Sequence, residues 1–145
     1  AENLEKPKKL IDLMREQIGS KGSLVSWYAS FEKTQNREMA KLYPEYSSFL
    51  HEMNERTFDL RDIFLNDYVD ADFHGSRSIK DIQPMLAPNL SYKTLDVQSG
   101  TMAIDAAERL YEMTDEKSIE RLRTAMLEYC KLDTLAMVEI YKALV

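Results

Sequence analysis

The sequence contains very little cysteine and glycine, and this scarcity excludes several kinds of protein. Its single cysteine, Cys130, cannot form an internal disulfide, so the sequence favours a reducing, cytoplasmic environment over a disulfide-stabilised secreted fold. Only four glycines occur in 145 residues, and neither a Gly-rich phosphate loop nor a GxGxxG motif is present. Nucleotide binding through either of these loops is therefore not expected.

Long hydrophobic runs and an excess of positive charge are also missing. No apolar run approaches the length of a membrane span and no signal peptide is visible, so no membrane contact is expected. The net charge of −6 argues against bulk electrostatic binding of nucleic acid, although it leaves room for a local basic channel. With 44% hydrophobic and 30% charged residues, the composition is that of a globular protein.

The residue pattern predicts a helix-rich chain with few strands. An apolar stripe predicts a first helix with Pro7 in its first turn and Gly19 at its end. The run SLVSWY, residues 23–28, and the segment TFDL, residues 57–60, are the strand candidates. Two strands are too few for a self-contained sheet. The chain is therefore either an α-rich domain or the later part of an α/β domain.

The other helix boundaries are predicted from capping residues and prolines. Ser30 is expected to cap a second helix whose Phe31 and Leu42 point inward, and Pro44 begins a third helix that buries Leu50. The remaining expectations are a loop over residues 62–77, a short helix capped by Ser78, a helix over residues 101–113 and a long final helix capped by Thr114. No repeat or linker interrupts the chain, which predicts a single domain of residues 1–145.

The final helix carries a carboxylate on its apolar face. At about 100° per residue, Asp133 falls among apolar side chains, with Tyr129 one turn before it. The predicted apolar stripe contains Leu122, Met126, Cys130, Met137, Ile140, Tyr141 and Leu144. Because an unpaired buried carboxylate is costly, Asp133 needs a partner. Either Tyr129 and Asp133 reach into one functional site, or Tyr129 is a core residue and Asp133 pairs with an Arg or Lys elsewhere.

Two further acidic segments are candidates for a site. Glu32 follows the first strand candidate, and sites of open α/β sheets gather at the carboxyl ends of strands. The alternative is an ordinary acid in the first turn of a helix, favoured by the helix dipole. The segment DADFH, residues 70–74, lacks the remaining positions of an EF-hand and the two-histidine zinc pattern, which favours a solvated loop.

Aromatic and cationic side chains near these segments could contact a single-stranded nucleic acid by stacking and charge. The aromatic candidates are Trp27, Tyr28, Tyr92 and Tyr129. The cationic candidates are Lys33, Arg37, Arg77, Lys80 and Lys93. Aromatic side chains at helical spacing more often belong to a core, so both interpretations stay open.

Two strings of this sequence resemble motifs of a known group of nucleases. The C-terminal string EYCKLDTLAMVEIYKAL is similar to the last motif of DnaQ-like exonucleases of the DEDD type. In the tyrosine subclass this motif reads Y-x-x-x-D, and Tyr129 and Asp133 stand at its tyrosine and aspartate positions. SLVSWYASFEK is similar to the second motif, N-x-x-F-D, with Phe31 and Glu32 in its last two places. The resemblance is closer to a bacterial family of unknown function with a ribonuclease H-like fold. It covers most of residues 22–144 through three ordered strings: GSLVSWYASFEK, FHGSRSIKDIQPMLAPNLSYKTL and EYCKLDTLAMVEIYKAL.

This resemblance implies a function for a longer parent protein. It implies an α/β, helix-rich, partial ribonuclease H-like fold and a metal-dependent 3′–5′ exonuclease that hydrolyses phosphodiesters of single-stranded nucleic acid. Glu32 and Asp133 would be ligands of Mg²⁺ or Mn²⁺, and both would be catalytic together with Tyr129. The substrate contacts implied are Tyr28, Lys33 and Lys80.

The sequence also departs from the exonuclease pattern. Tyr28 stands where the motif has asparagine, Glu32 replaces aspartate, and no D-x-E pair precedes SLVSWY. That pair would supply two of the four metal-binding carboxylates. We therefore expect a segment of a larger domain whose first strands precede residue 1, with no bound metal and no activity by itself. Its expected partners are those missing strands or a second copy covering SLVSWY. A helical protein-interaction or nucleic-acid-binding module without catalysis is the alternative.

Overall fold

The computed structural model describes the backbone of residues 2–145 and the side chains of residues 7–145. The main elements are α1 (Glu2–Ile18), β1 (Leu24–Ser26), α2 (Ala29–Leu42), α3 (Ser47–Arg56), β2 (Thr57–Asp59), α4 (Arg61–Asn66), α5 (Ile79–Leu86), α6 (Gly100–Glu112) and α7 (Glu116–Leu144). Short 3₁₀ turns cover Pro44–Tyr46, Ala71–Phe73 and Tyr92–Thr94. The expectation of a helix-rich α/β chain with few strands is confirmed.

The chain divides into two compact units, the first ending at Asp67 and the second spanning Tyr68–Val145. The buried cluster of the first unit contains Ile11, Ala40, Tyr43 and Leu50. The buried cluster of the second unit contains Tyr92, Val97, Ala106, Ala125 and Tyr129. Each unit therefore has apolar packing of its own, and the single domain stays a prediction.

The first unit holds a two-stranded parallel sheet. Both strand candidates are confirmed, and β1 pairs with β2 in the register Leu24↔Thr57, Val25↔Phe58 and Ser26↔Asp59. Parallel strands require a crossover connection, which α2 and α3 supply, and these helices pack against each other. The carboxyl ends of the two strands consequently lie at one edge of the sheet, beside Tyr28 and Asp59.

The start of α2 is fixed by a side chain from β2 and not by Ser30, so that prediction is wrong. The carboxylate of Asp59 accepts hydrogen bonds from the backbone N–H groups of Tyr28 at 3.0 Å and Ala29 at 2.8 Å. It also accepts one from the N–H of Arg61 at 3.1 Å. Asp59 satisfies donors that would otherwise lack partners at the ends of two helices.

The buried face of α2 also differs from the prediction. Phe31 and Leu42 are 58% and 68% exposed, whereas Ala29, Asn36 and Ala40 are buried. Because the helix begins at Ala29, these three residues follow one face at helical spacing. The expected inward positions of Phe31 and Leu42 are therefore wrong.

Of the helix ends that proline and glycine predict in this unit, some are confirmed and one is wrong. Gly19 has φ +63° and directly follows α1, as expected for a helix-closing glycine. Pro7, in contrast, lies inside α1, because the helix already begins at Glu2. Pro44 begins a 3₁₀ turn that leads into α3, where Leu50 is fully buried.

The predicted loop over residues 62–77 is wrong in its first part. Helix α4 occupies Arg61–Asn66, and its Phe64 is 2% exposed. The ring of Phe64 packs against Trp27 with centroids 5.5 Å apart. Phe64 is the buried residue of this six-residue helix. A helix of this length is too short to show a periodic pattern of apolar residues in the sequence.

The second unit is helical, and its predicted helices are confirmed. Ser78 accepts a hydrogen bond from the N–H of Lys80 at the start of α5, and α6 agrees within one residue at each end. The cap of α7 is Asp115, which accepts from the N–H of Ser118 at 2.9 Å, so the assignment to Thr114 is wrong. None of the described helices is long and apolar enough to cross a membrane.

The buried stripe of α7 is rotated relative to the prediction. Its buried residues are Ala125, Tyr129, Ala136 and Ile140. Cys130 and Tyr141 are exposed, so their predicted inward positions are wrong. Helix α7 packs against both α5 and α6, and small alanine side chains at a helix interface permit close approach. The rotated stripe leaves Asp133 half-buried, one turn beyond Tyr129.

Candidate functional site

The partner of Asp133 in the second unit is a phenol. The hydroxyl of Tyr92, in the 3₁₀ turn before α6, donates a hydrogen bond of 2.6 Å to Oδ1 of Asp133. This length is typical of a donor bound to an ionised carboxylate. The ion pairs of the described side chains do not include Asp133. The expected Arg or Lys partner is therefore replaced by a tyrosine.

Lys80 lies against the same group of side chains. Its Nζ is 5.2 Å from the ring centre of Tyr92 and 5.4 Å from that of Tyr129, within the range of cation–π attraction. The ammonium also donates to the backbone carbonyl of Gln98. Lys80, Tyr92, Tyr129 and Asp133 are called the phenol cluster below.

The local electrostatics keep both phenols protonated. Burial, followed by the Asp133 carboxylate, raises the pKa of the Tyr92 phenol well above its usual range. The same two causes raise the pKa of Tyr129. The two rings are 6.2 Å apart between centroids. Both hydroxyl groups are therefore hydrogen-bond donors across the physiological pH range.

The raised pKa of Tyr92 predicts a loss of stability in alkali. A phenol whose pKa is higher in the folded state stabilises that state below the unfolded value of about 10, and this contribution is lost as pH rises above it. Replacing Tyr92 by Phe should make the fall in unfolding free energy above pH 10 shallower by up to about 1.4 kcal/mol per pH unit. Urea denaturation between pH 8 and roughly pH 11 measures this slope.

The matched control is Tyr111→Phe, because Tyr111 is 83% exposed. It should leave the wild-type slope unchanged. An identical slope in the Tyr92→Phe and Tyr111→Phe variants would contradict a raised pKa at Tyr92.

The phenol cluster contains one ammonium, two phenols and one carboxylate, and the single hydroxyl proton of Tyr92 is already donated to Asp133. Its donor set does not fit a pair of divalent cations, which prefer several oxygen ligands each. No group of three or more His, Cys, Asp or Glu side chains suited to a metal ion occurs among the described residues. At residues 70–74, the Asp70 carboxylate accepts from the N–H of Asp72 and so caps a 3₁₀ turn.

The other predicted site residues belong to the first unit. Glu32 is exposed in the first turn of α2, as the helix-dipole interpretation expects. Lys33 is half-buried and its carbonyl accepts from Asn54 at 3.0 Å. Tyr28 has the unusual φ of +68°, and the guanidinium of Arg61 lies 4.1 Å from its ring centre.

The sequence did not predict two of the contacts described above, from Tyr92 to Asp133 and from Arg61 to Tyr28. The sequence indicates Tyr92 only as a candidate for stacking on a base. It also indicates that Asp133 needs a polar partner, and the structure shows that Tyr92 is this partner. Arg61 had no signal of its own, because its contact with Tyr28 depends on the pairing of β1 with β2. Lys80, in contrast, was a candidate through the resemblance of the SIK string, and it does lie beside Tyr129.

Comparison with known proteins relates the chain to a family of domains of unknown function. The model of the family described as "Domain of unknown function (DUF2779)" matches residues 1–78, more than half of the chain. A relative, "Uncharacterized protein MG366" of Mycoplasma genitalium, is 28% identical over 146 residues. The match includes 92% of this chain but spans only 22% of the relative's length. No solved structure matches the chain.

Proposed function

This chain belongs to the DUF2779 family of domains of unknown function, and we propose, from the resemblance of its strings to DnaQ-like exonucleases, that it is part of an exonuclease-like domain. In this proposal a longer protein hydrolyses phosphodiesters of single-stranded nucleic acid from the 3′ end, and the fold is a partial ribonuclease H-like one. The chain alone does not catalyse the reaction. The expectation of a family of unknown function is confirmed, whereas the activity is the proposal.

The observation that carries the proposal is the position of Lys80. In sequence, Lys80 is 49 residues from Tyr129, yet its Nζ lies 5.4 Å from the Tyr129 ring centre. The strings that contain SIK and Y-x-x-x-D belong to one ordered resemblance. Their contact supports a common site, because a lysine ammonium attracts phosphate and a tyrosine hydroxyl can orient a polar group.

The chemistry proposed for the chain's own residues is limited to binding and orientation. Lys80 contacts a phosphate oxygen, and the Tyr129 hydroxyl, whose own proton is directed at Asp133, accepts a hydrogen bond from the water that it orients. Asp133 provides negative charge held in place by Tyr92. Any Mg²⁺ or Mn²⁺ would need carboxylates beyond those of the phenol cluster, since the described residues do not fit such ions.

A second candidate is a nucleic-acid-binding or protein-interaction module without catalysis. The hydrogen bond from Tyr92 favours it, because it gives Asp133 a structural partner and leaves fewer lone pairs for a ligand. The two candidates differ in whether a longer protein that contains this chain cleaves a bound strand.

Hydrolysis of a 5′-labelled single-stranded oligonucleotide in the presence of Mg²⁺ or Mn²⁺ tests the proposal. The longer protein should shorten the strand stepwise from its 3′ end, whereas the isolated chain should leave it intact. A 3′-blocked oligonucleotide serves as the control for direction. Binding without shortening by the longer protein would refute the proposal in favour of the second candidate. Cleavage by the isolated chain that Asp133→Ala abolishes would contradict its expected inactivity.

A further inference from the structure

The first unit contains an arginine whose charge has no acidic partner among the described side chains. The guanidinium of Arg61 lies over the ring of Tyr28, with Cζ 4.1 Å from the ring centre. Its Nε is buried without a hydrogen-bond acceptor, and the ion pairs of the described side chains do not include it. This lack of an acid is notable in a chain with 25 acidic residues and a net charge of −6.

Asp59, two residues before Arg61, is engaged elsewhere, and the adjacent Asp62 is not part of the ion pairs of the described side chains. The oxygens of Asp59 accept from the backbone N–H groups of Tyr28, Ala29 and Arg61 itself. Asp59 therefore fixes the backbone on both sides of the pair, while the guanidinium is left with the aromatic ring as its described contact. The buried Nε has almost no accessible surface, so an anion would contact the terminal N–H groups of the guanidinium.

We propose that Arg61 and Tyr28 form a binding site for a nucleotide unit of single-stranded nucleic acid, in which a sugar joins the phosphate to a planar base. A guanidinium can stack on an aromatic face and still present its planar N–H groups to phosphate oxygens. Bases stack on exposed aromatic side chains with little dependence on sequence. The proposal rests on the proposed function only for the choice of nucleic acid as the source of the phosphate.

The surroundings of Tyr28 make it suitable for stacking. The side chain is 49% exposed although Arg61 covers part of its ring. Its backbone has φ +68°, a conformation that is uncommon for a large side chain, and the bond from its N–H to Asp59 holds it there. The ring is therefore held at the carboxyl edge of the parallel strands before any ligand arrives.

The test measures binding of the whole chain to a fluorescent single-stranded oligonucleotide in buffer without divalent cations, where hydrolysis cannot interfere. Arg61→Gln should raise the dissociation constant about tenfold. It should also lower the slope of log affinity against log salt by about 0.7, the value for one phosphate contact on a single strand. Arg61→Lys should give an intermediate affinity, since it keeps the charge and loses the planar fork.

Two other variants separate stacking from general charge. Tyr28→Asn removes the ring but tolerates the left-handed backbone, and it should weaken binding several-fold. Arg15→Gln removes an equal charge from α1, where Arg15 already pairs with Asp12, and should change the affinity less than twofold. Circular dichroism of each variant checks that the fold is retained.

Competition distinguishes a nucleotide site from a simple anion site. A mononucleotide should displace the oligonucleotide at lower concentration than inorganic phosphate does. Equal competition by the two would overturn the base contact, and equal affinity of the Arg61→Gln and Arg15→Gln variants would overturn the site. If the longer protein bound the oligonucleotide in a way that depends on Arg61 but did not hydrolyse it, the proposed exonuclease activity would be refuted. The binding site at Arg61 and Tyr28 would still be supported.

Discussion

Asparagine in place of Asp133 should reduce hydrolysis by the longer protein roughly 100-fold or more, a loss typical of removing one key polar group from an active site. The substitution preserves the size of the side chain and an oxygen that can accept from the Tyr92 hydroxyl, which donates to Oδ1 of Asp133 at 2.6 Å. It removes the negative charge and replaces the other carboxylate oxygen by an amide NH₂ group. Initial rates of oligonucleotide shortening, at saturating metal and substrate, measure the effect.

The matched control is Glu128→Gln, which makes the same chemical change at an exposed position on the same helix. It should leave the rate within about twofold of wild type, and thermal unfolding should show that both variants fold. Unchanged hydrolysis in the Asp133→Asn variant would remove Asp133 from the proposed site, whatever the activity of the protein as a whole.

Replacing Leu50 by Ala should lower the free energy of unfolding of the first unit by about 3–5 kcal/mol. Leu50 has no exposed surface and packs in one cluster with Ile11, Ala40 and Tyr43. Truncation loses the transfer free energy of the removed methyl groups and leaves a cavity that close-packed neighbours fill only partly. Urea denaturation followed by circular dichroism measures the change.

Leu42→Ala provides the control for this prediction. Leu42 is 68% exposed at the end of α2, so the same truncation there should change the unfolding free energy by less than about 0.5 kcal/mol. The sequence pattern placed both leucines inward, and only the structure separates them. Equal losses in the two variants would contradict the orientation of α2 described above.

Local signals in the sequence were sufficient for much of the fold. The strand SLVSWY, the helix-closing Gly19 and the cap at Ser78 each depend on neighbouring residues, and each was predicted correctly. The start of α2 depends on Asp59, which is 30 residues from Ala29. No local pattern contains that information, because the contact exists only when β1 and β2 pair.

In the candidate site, too, the features set by neighbouring residues were predicted and those set by distant residues were not. Tyr129 and Asp133 were identifiable because they lie one turn apart on α7. Helical periodicity indicated the need for a partner of Asp133 but could not select Tyr92, since 41 residues and a 3₁₀ turn separate the two. The ribonuclease H-like fold, the metal ions and the proposed dimer through SLVSWY stay predictions.

At position 28 the backbone conformation and the contact of the side chain favour different residues. The left-handed backbone there suits asparagine or glycine, and asparagine is the residue of the motif that this segment resembles. Tyr28 has a backbone conformation that is unfavourable for a large side chain, and its ring lies against the guanidinium of Arg61. Selection for folding alone would favour the smaller residue.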